Sequence, residues 1–140
     1  MKTILLVDDE CFLVESLTQL LEEAGYHVVS ATNGKDGLAQ LVKEPPDMVL
    51  TDFMMPVADG LEMVRGVRAL PEFQSLPVVM MSAGQVAAKA RRVGVSAFLG
   101  KPFGLDELLP IIERLIGKGE PENARIRTRP FLVRAVERPV

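Results

Sequence analysis

Short apolar runs separated by stretches of helical period recur along the chain, and no other feature limits its fold so tightly. The runs occupy residues 4–7, 27–31, 48–51, 78–82 and 95–99. Each has the length and composition of a buried strand. Between the first two, Leu13, Leu17, Leu20, Leu21 and Ala24 return at helical spacing, and Gly25 stands where a helix would end. Asn33 predicts the cap of a second helix carrying Leu38, Leu41 and Val42, which stops before Pro45 and Pro46. Leu61, Val64, Val67 and Leu70 predict a third helix before Pro71. Residues 85–93 suggest a short, weakly amphipathic fourth, and Leu105, Leu108, Leu109, Ile112 and Leu115 a fifth with a clear apolar stripe. Strand and helix in strict alternation give an α/β domain, a doubly wound five-stranded parallel sheet with five helices.

Such sheets bind ligands outside the carboxyl ends of their strands. Asp8 and Asp9 follow the first run, Asp52 the third, Ser82 ends the fourth and Lys101 follows the fifth, so all five are predicted to converge on one sheet edge. Singly they say little. Asp8 or Asp9 reads as an N-cap for a helix starting near Glu10, and Asp52 as a turn residue before Pro56 and Gly60. Jointly they offer three carboxylates, one ammonium and one hydroxyl. Two adjacent carboxylates about 5 Å apart repel by roughly 3 kcal/mol at an effective dielectric near 20, and a cation is the simplest offset. An all-oxygen donor set suits Mg²⁺, and no thiolate or imidazole cluster argues for zinc. If a phosphoryl group joins the metal, Lys101 can pair with it, Ser82 can donate a hydrogen bond, and one carboxylate is free to act as nucleophile.

The 140 residues, 48% of them hydrophobic, suffice for one domain with one real core. A net charge of −3 gives no general reason to expect nucleic acid or an anionic membrane as partner. That charge is unevenly placed. Residues 118–140 hold Lys118, Arg125, Arg127, Arg129, Arg134 and Arg138 against Glu120, Glu122 and Glu137, so this end carries +3 and residues 1–117 carry −6. The division predicted is a domain over 1–117 and a basic Pro/Arg-containing tail over 118–140, too short for a complete DNA-binding module. Within the tail, the segment 130–136 is apolar enough to pair as a strand or dock on a neighbour. Cys11 is the only cysteine, which excludes an internal disulfide and fits a reducing cytoplasm, where an idle thiol is the simplest role for it. No run approaches the ~20 apolar residues of a membrane span.

"LLVDDE", "LTDFMMPVADG", "VVMMSA" and "FLGKPF", in that order over residues 2–117, resemble the receiver domain of bacterial two-component response regulators. The resemblance implies a flavodoxin-like strand order 2-1-3-4-5. It implies Asp52 as phosphoacceptor, Asp9 as a direct Mg²⁺ ligand, Asp8 as one acting largely through water, and the backbone carbonyl of Met54 as a further ligand. Ser82 matches the switch hydroxyl, Lys101 the phosphoryl-contacting lysine, Phe98 the aromatic that changes rotamer with Ser82, and Pro102 a frequent cis proline. The partners implied are a histidine kinase or phosphotransferase and a downstream protein target, without direct DNA binding or a membrane; a homodimer stays open. The protein so read is a phosphoacceptor switch that assists its own phosphorylation, not a turnover enzyme. Alternatives are an Mg²⁺-dependent haloacid dehalogenase-type phosphatase, whose DxD pattern this chain lacks after its first strand, and a receiver fragment of a longer regulator with an output domain.

Two departures from the family pattern bear on the output face. Only 18 residues separate Ser82 from Lys101, about three fewer than usual, or roughly one helical turn. Pro110 falls inside the fifth helical pattern, where a proline costs about 3 kcal/mol or more and predicts a bent or late-starting helix.

Overall fold

In the computed structural model, which describes residues 1–53, 55, 59–83 and 94–120, the predicted alternation becomes β1 (Thr3–Val7), α1 (Cys11–Glu23), β2 (His27–Ala31), α2 (Gly34–Lys43), β3 (Met48–Asp52), α3 (Gly60–Ala69), β4 (Val78–Ser82), β5 (Ala97–Gly100) and α4 (Leu105–Ile116). The five strands are all parallel, in the order β2-β1-β3-β4-β5. A short 3₁₀ turn, Pro71–Phe73, was not anticipated. The helix expected over residues 85–93 and the shortened segment around it lie outside the described residues, as does the tail beyond Glu120. Among the described residues no helix is long and apolar enough to cross a membrane.

The two-residue period of the strands sorts their side chains into two cores. Ile4, Leu6, Met48, Leu50, Val79 and Met81 pack on one face with Leu17 and Leu21 of α1 and Leu108 and Ile112 of α4. Leu5, Val7, Val49, Val78 and Met80 pack on the other with Leu41 of α2 and Met63, Val64 and Val67 of α3. The sheet is thus covered on both faces, which is why its strands read as continuous apolar runs and not as alternating ones. Each fully buried Leu, Ile or Val contributes about 1.5–3 kcal/mol.

Local signals set the helix ends. Gly25, at φ 98°, turns the chain out of α1, and the Asn33 side chain accepts the Asp36 N–H at 2.8 Å to cap α2. At α3 the caps are reciprocal: Asp59 accepts the Glu62 N–H at 2.9 Å, and Glu62 accepts that of Asp59 at 3.2 Å. α4 starts at Leu105 and runs to Ile116 through Pro110, so the late start expected from that proline does not occur. Pro110 and Asp106, whose carbonyl loses its intrahelical donor, are both exposed, and water can satisfy that carbonyl. β5 begins at Ala97, two residues later than the apolar run suggested. Just before it, Ser96 closes a mixed pair with Val78: its hydroxyl oxygen takes the Val78 N–H at 3.0 Å and its own N–H donates to the Val78 carbonyl at 2.7 Å. Cys11 is exposed at the start of α1.

Candidate functional site

The carboxyl ends of β1, β3, β4 and β5 deliver the predicted residues to one place. Asp8 comes directly after β1, and its N–H donates to the Ala31 carbonyl at 3.1 Å, so the β1–β2 ladder fixes it one residue beyond the strand. Its carboxylate is wholly buried. Oδ1 accepts the Glu10 N–H at 2.9 Å. The cap of α1 is Glu10, with no side-chain cap bond, so neither Asp8 nor Asp9 caps that helix as their residue type suggested. Asp8 instead tethers the loop in front of it.

Asp52 is the last residue of β3 and only 6% exposed. Carboxylate oxygens of Asp8, Asp9 and Asp52 lie within 4.8 Å of one another, Asp9 being the exposed member. Among the described residues, one cation reaches into this group. Lys101 Nζ lies 3.0 Å from Asp8 Oδ2, 3.1 Å from Asp52 Oδ1 and 3.1 Å from Glu10 Oε1. Glu10 was not among the expected site residues, although it completes the acidic run "DDE". Burial pulls the Lys101 ammonium down, but the hydrogen bonds it donates to Asp8, Asp52 and Glu10 outweigh that and hold the group above its ordinary value. The Asp52 carboxyl is raised, by burial first and the charge of Asp8 second, with Lys101 opposing both.

Ser82 ends β4 and is buried. It stands in register with Gly100, and its carbonyl accepts the Lys101 N–H at 2.7 Å. Asp52 is in register with Met81, so Asp52, Ser82 and Lys101 come from three successive strands. Phe98 pairs with Met80, and the two-residue period puts it on the sheet face that Met80 and Ser82 share. The Lys101–Pro102 peptide is cis. Met54 lies outside the described residues.

Gly60 is a site residue whose role the sequence did not show. It opens α3, its N–H donates to the Phe53 carbonyl at 2.9 Å, and a Cβ there would run into the Asp52 carbonyl oxygen. Only the absence of a side chain lets α3 start so close to the end of β3. The arrangement as a whole is a set of oxygen donors with four carboxylates (Asp8, Asp9, Glu10, Asp52) around one ammonium. Among the described residues it is short of positive charge, brings no imidazole or thiolate to the cluster, and fits a hard divalent cation.

Comparison with known proteins shows the family and the fold. The family described as response regulator receiver domain matches residues 4–113. The response regulator Rre1 of Synechocystis is 37% identical over 125 residues, which cover 86% of this chain and 54% of that protein. The chain therefore spans about half the length of the curated relatives it matches. Among solved structures, the chemotaxis protein CheY4 of Vibrio cholerae superposes with a TM-score of 0.79 at 30% identity, over 83% of this chain and 99% of that one. The receiver domain of the sensor histidine kinase PA1611 of Pseudomonas aeruginosa, solved with a magnesium ion coordinated in its active-site cleft, gives 0.76 at 28% identity, over 83% and 98%.

Proposed function

The chain belongs to the response regulator receiver domain family, and from that premise we propose that Asp52 accepts a phosphoryl group from the phosphohistidine of a cytoplasmic histidine kinase or phosphotransferase and that the modified domain binds a downstream protein. The observation that carries this reading is the placement of Asp52, buried at a strand end, within reach of Lys101 and of the Asp8–Asp9 pair. Family membership sets aside the haloacid dehalogenase-type phosphatase. The receiver unit in this reading is residues 1–117, with 118–140 as its tail.

Asp8, Asp9 and Asp52, with the Met54 carbonyl as a further ligand, would hold Mg²⁺, which supplies neutralisation of the charge on the transferred group. The chain's own residues do the rest. An Asp52 oxygen attacks phosphorus in line; the new P–O bond forms as the P–N bond to the donor imidazole breaks, and the electron pair leaves on the ring nitrogen. Lys101, kept charged by its three carboxylate partners, pairs with the phosphoryl oxygens once the group arrives. Ser82 donates its hydroxyl to the same group. That movement frees space behind it for Phe98, and the two together shift the population of the β4–β5 surface.

Acetyl phosphate or beryllofluoride with Mg²⁺ tests the assignment. Intact-mass measurement should show one adduct on the wild type and none on Asp52→Asn. Equal labelling of both proteins would overturn it.

A further inference from the structure

Every donor of Lys101 is already engaged. A lysine ammonium carries three N–H groups, and Nζ stands 3.0 Å from Asp8 Oδ2, 3.1 Å from Asp52 Oδ1 and 3.1 Å from Glu10 Oε1. The three acceptors differ in their surroundings. The Asp8 carboxylate is wholly buried and that of Asp52 nearly so, whereas the Glu10 side chain is 65% exposed. Asp8 and Asp52 also belong, with Asp9, to the oxygen cluster that fits a divalent cation. Glu10 stands outside that cluster, and among the described residues the cation it meets is Lys101.

The backbone brings Glu10 to this position. Its N–H donates to Asp8 Oδ1 at 2.9 Å, and its carbonyl accepts the Val14 N–H at 3.0 Å in the first turn of α1. With Lys101 it lines an open cavity of ≈ 290 Å³ that reaches Leu13, Ala83 and Phe103. A Glu10 carboxylate released by Lys101 therefore turns into water. Release of Asp8 would instead leave a buried carboxylate short of a partner.

We propose that Glu10 is the resting counter-ion of Lys101 and competes with the phosphoryl group for its ammonium, so that Glu10 weakens the site's hold on that group. The inference rests on the phosphoacceptor role of Asp52. The incoming group is anionic and meets an ammonium whose charge Glu10 already shares. Of the three acceptors, Glu10 is the one that water can replace. It acts on the reaction through Lys101 and touches no reacting atom.

The test titrates the full chain with beryllofluoride at saturating Mg²⁺, followed by amide spectra, as wild type, Glu10→Gln and Glu15→Gln. An exposed ion pair shifts an equilibrium by a factor of about 1.5–5, and the midpoint should fall by that factor in Glu10→Gln. It should stay at the wild-type value in Glu15→Gln, which removes the same charge from an exposed position of α1. In wild-type protein labelled at the glutamate side-chain carboxyl carbons, the Glu10 signal should move, as beryllofluoride binds, toward the position it takes in Lys101→Ala. An unchanged or raised midpoint in Glu10→Gln, an equal fall in Glu15→Gln, or a Glu10 signal that ignores beryllofluoride would each overturn the proposal while leaving Asp52 as phosphoacceptor. A wild type that forms no beryllofluoride adduct would overturn both.

Discussion

Burial and the neighbouring Asp8 both work against the charged form of Asp52. Its carboxyl is raised above its ordinary value of 3.8, by burial and by Asp8. A raised acid contributes stability that is fully present below the unfolded value and is lost as pH rises through the folded value. At neutral pH the charged form therefore destabilises the metal-free fold. Asp52→Asn removes that charge and leaves Lys101 with Asp8 and Glu10, so in chelator-containing neutral buffer its Tm should exceed the wild type's. The gap should close as pH falls toward the unfolded value. Thermal melts of both proteins across a pH series check this, and a variant no more stable than the wild type at neutral pH would contradict it.

Between elements, the site depends on how closely α3 and β4 approach the end of β3. At Gly60→Ala the new methyl meets the Asp52 carbonyl and the Phe53 Cα, both backbone, while the reciprocal Asp59–Glu62 cap holds the helix end in place. Overpacking of this kind costs typically 1–3 kcal/mol. Urea unfolding should show a loss of about that size, with slower phosphoryl incorporation from acetyl phosphate because Asp52 is displaced. Unchanged stability and unchanged rate would mean that α3 moves aside without cost. Ser82→Ala tests the neighbouring strand pair: beryllofluoride should still bind, but amide shifts around Phe98 should shrink, since the hydroxyl that follows the phosphoryl group is gone. Shifts of wild-type size in the variant would sever Ser82 from Phe98.

For the molecule as a whole, a metal that binds only the folded state is a stabiliser by mass action. At 100 times its dissociation constant it adds about 2.7 kcal/mol. The wild-type Tm should therefore climb with Mg²⁺ concentration. Asp9 is the exposed carboxylate of the three and has no ion pair among the described residues, so Asp9→Ala should abolish most of that climb at little cost to the metal-free fold. Magnesium titrations of both proteins followed by thermal melting decide the point. Parallel curves would mean that Asp9 is no ligand.

The apolar runs, helical periods and caps were enough to determine the order of elements, because each rests on local backbone chemistry: Asn33 and Gly25 do at their helix ends what their side chains, or the lack of one, dictate. The strand ends also placed Asp8, Asp9, Asp52, Ser82 and Lys101 together, since parallel topology sends every carboxyl end to one edge. Three things needed the tertiary structure. Glu10 joins Lys101 only because β5 and the loop after β1 meet in space, 91 residues apart in the chain. Gly60 is required by a backbone approach to Asp52 that no spacing announces. Asp8 serves the loop before α1 and not the helix cap, because the one-residue extension of the β1–β2 ladder turns its carboxylate inward toward Lys101. Local chemistry determines which elements form; distances between residues remote in sequence are decided only when those elements pack.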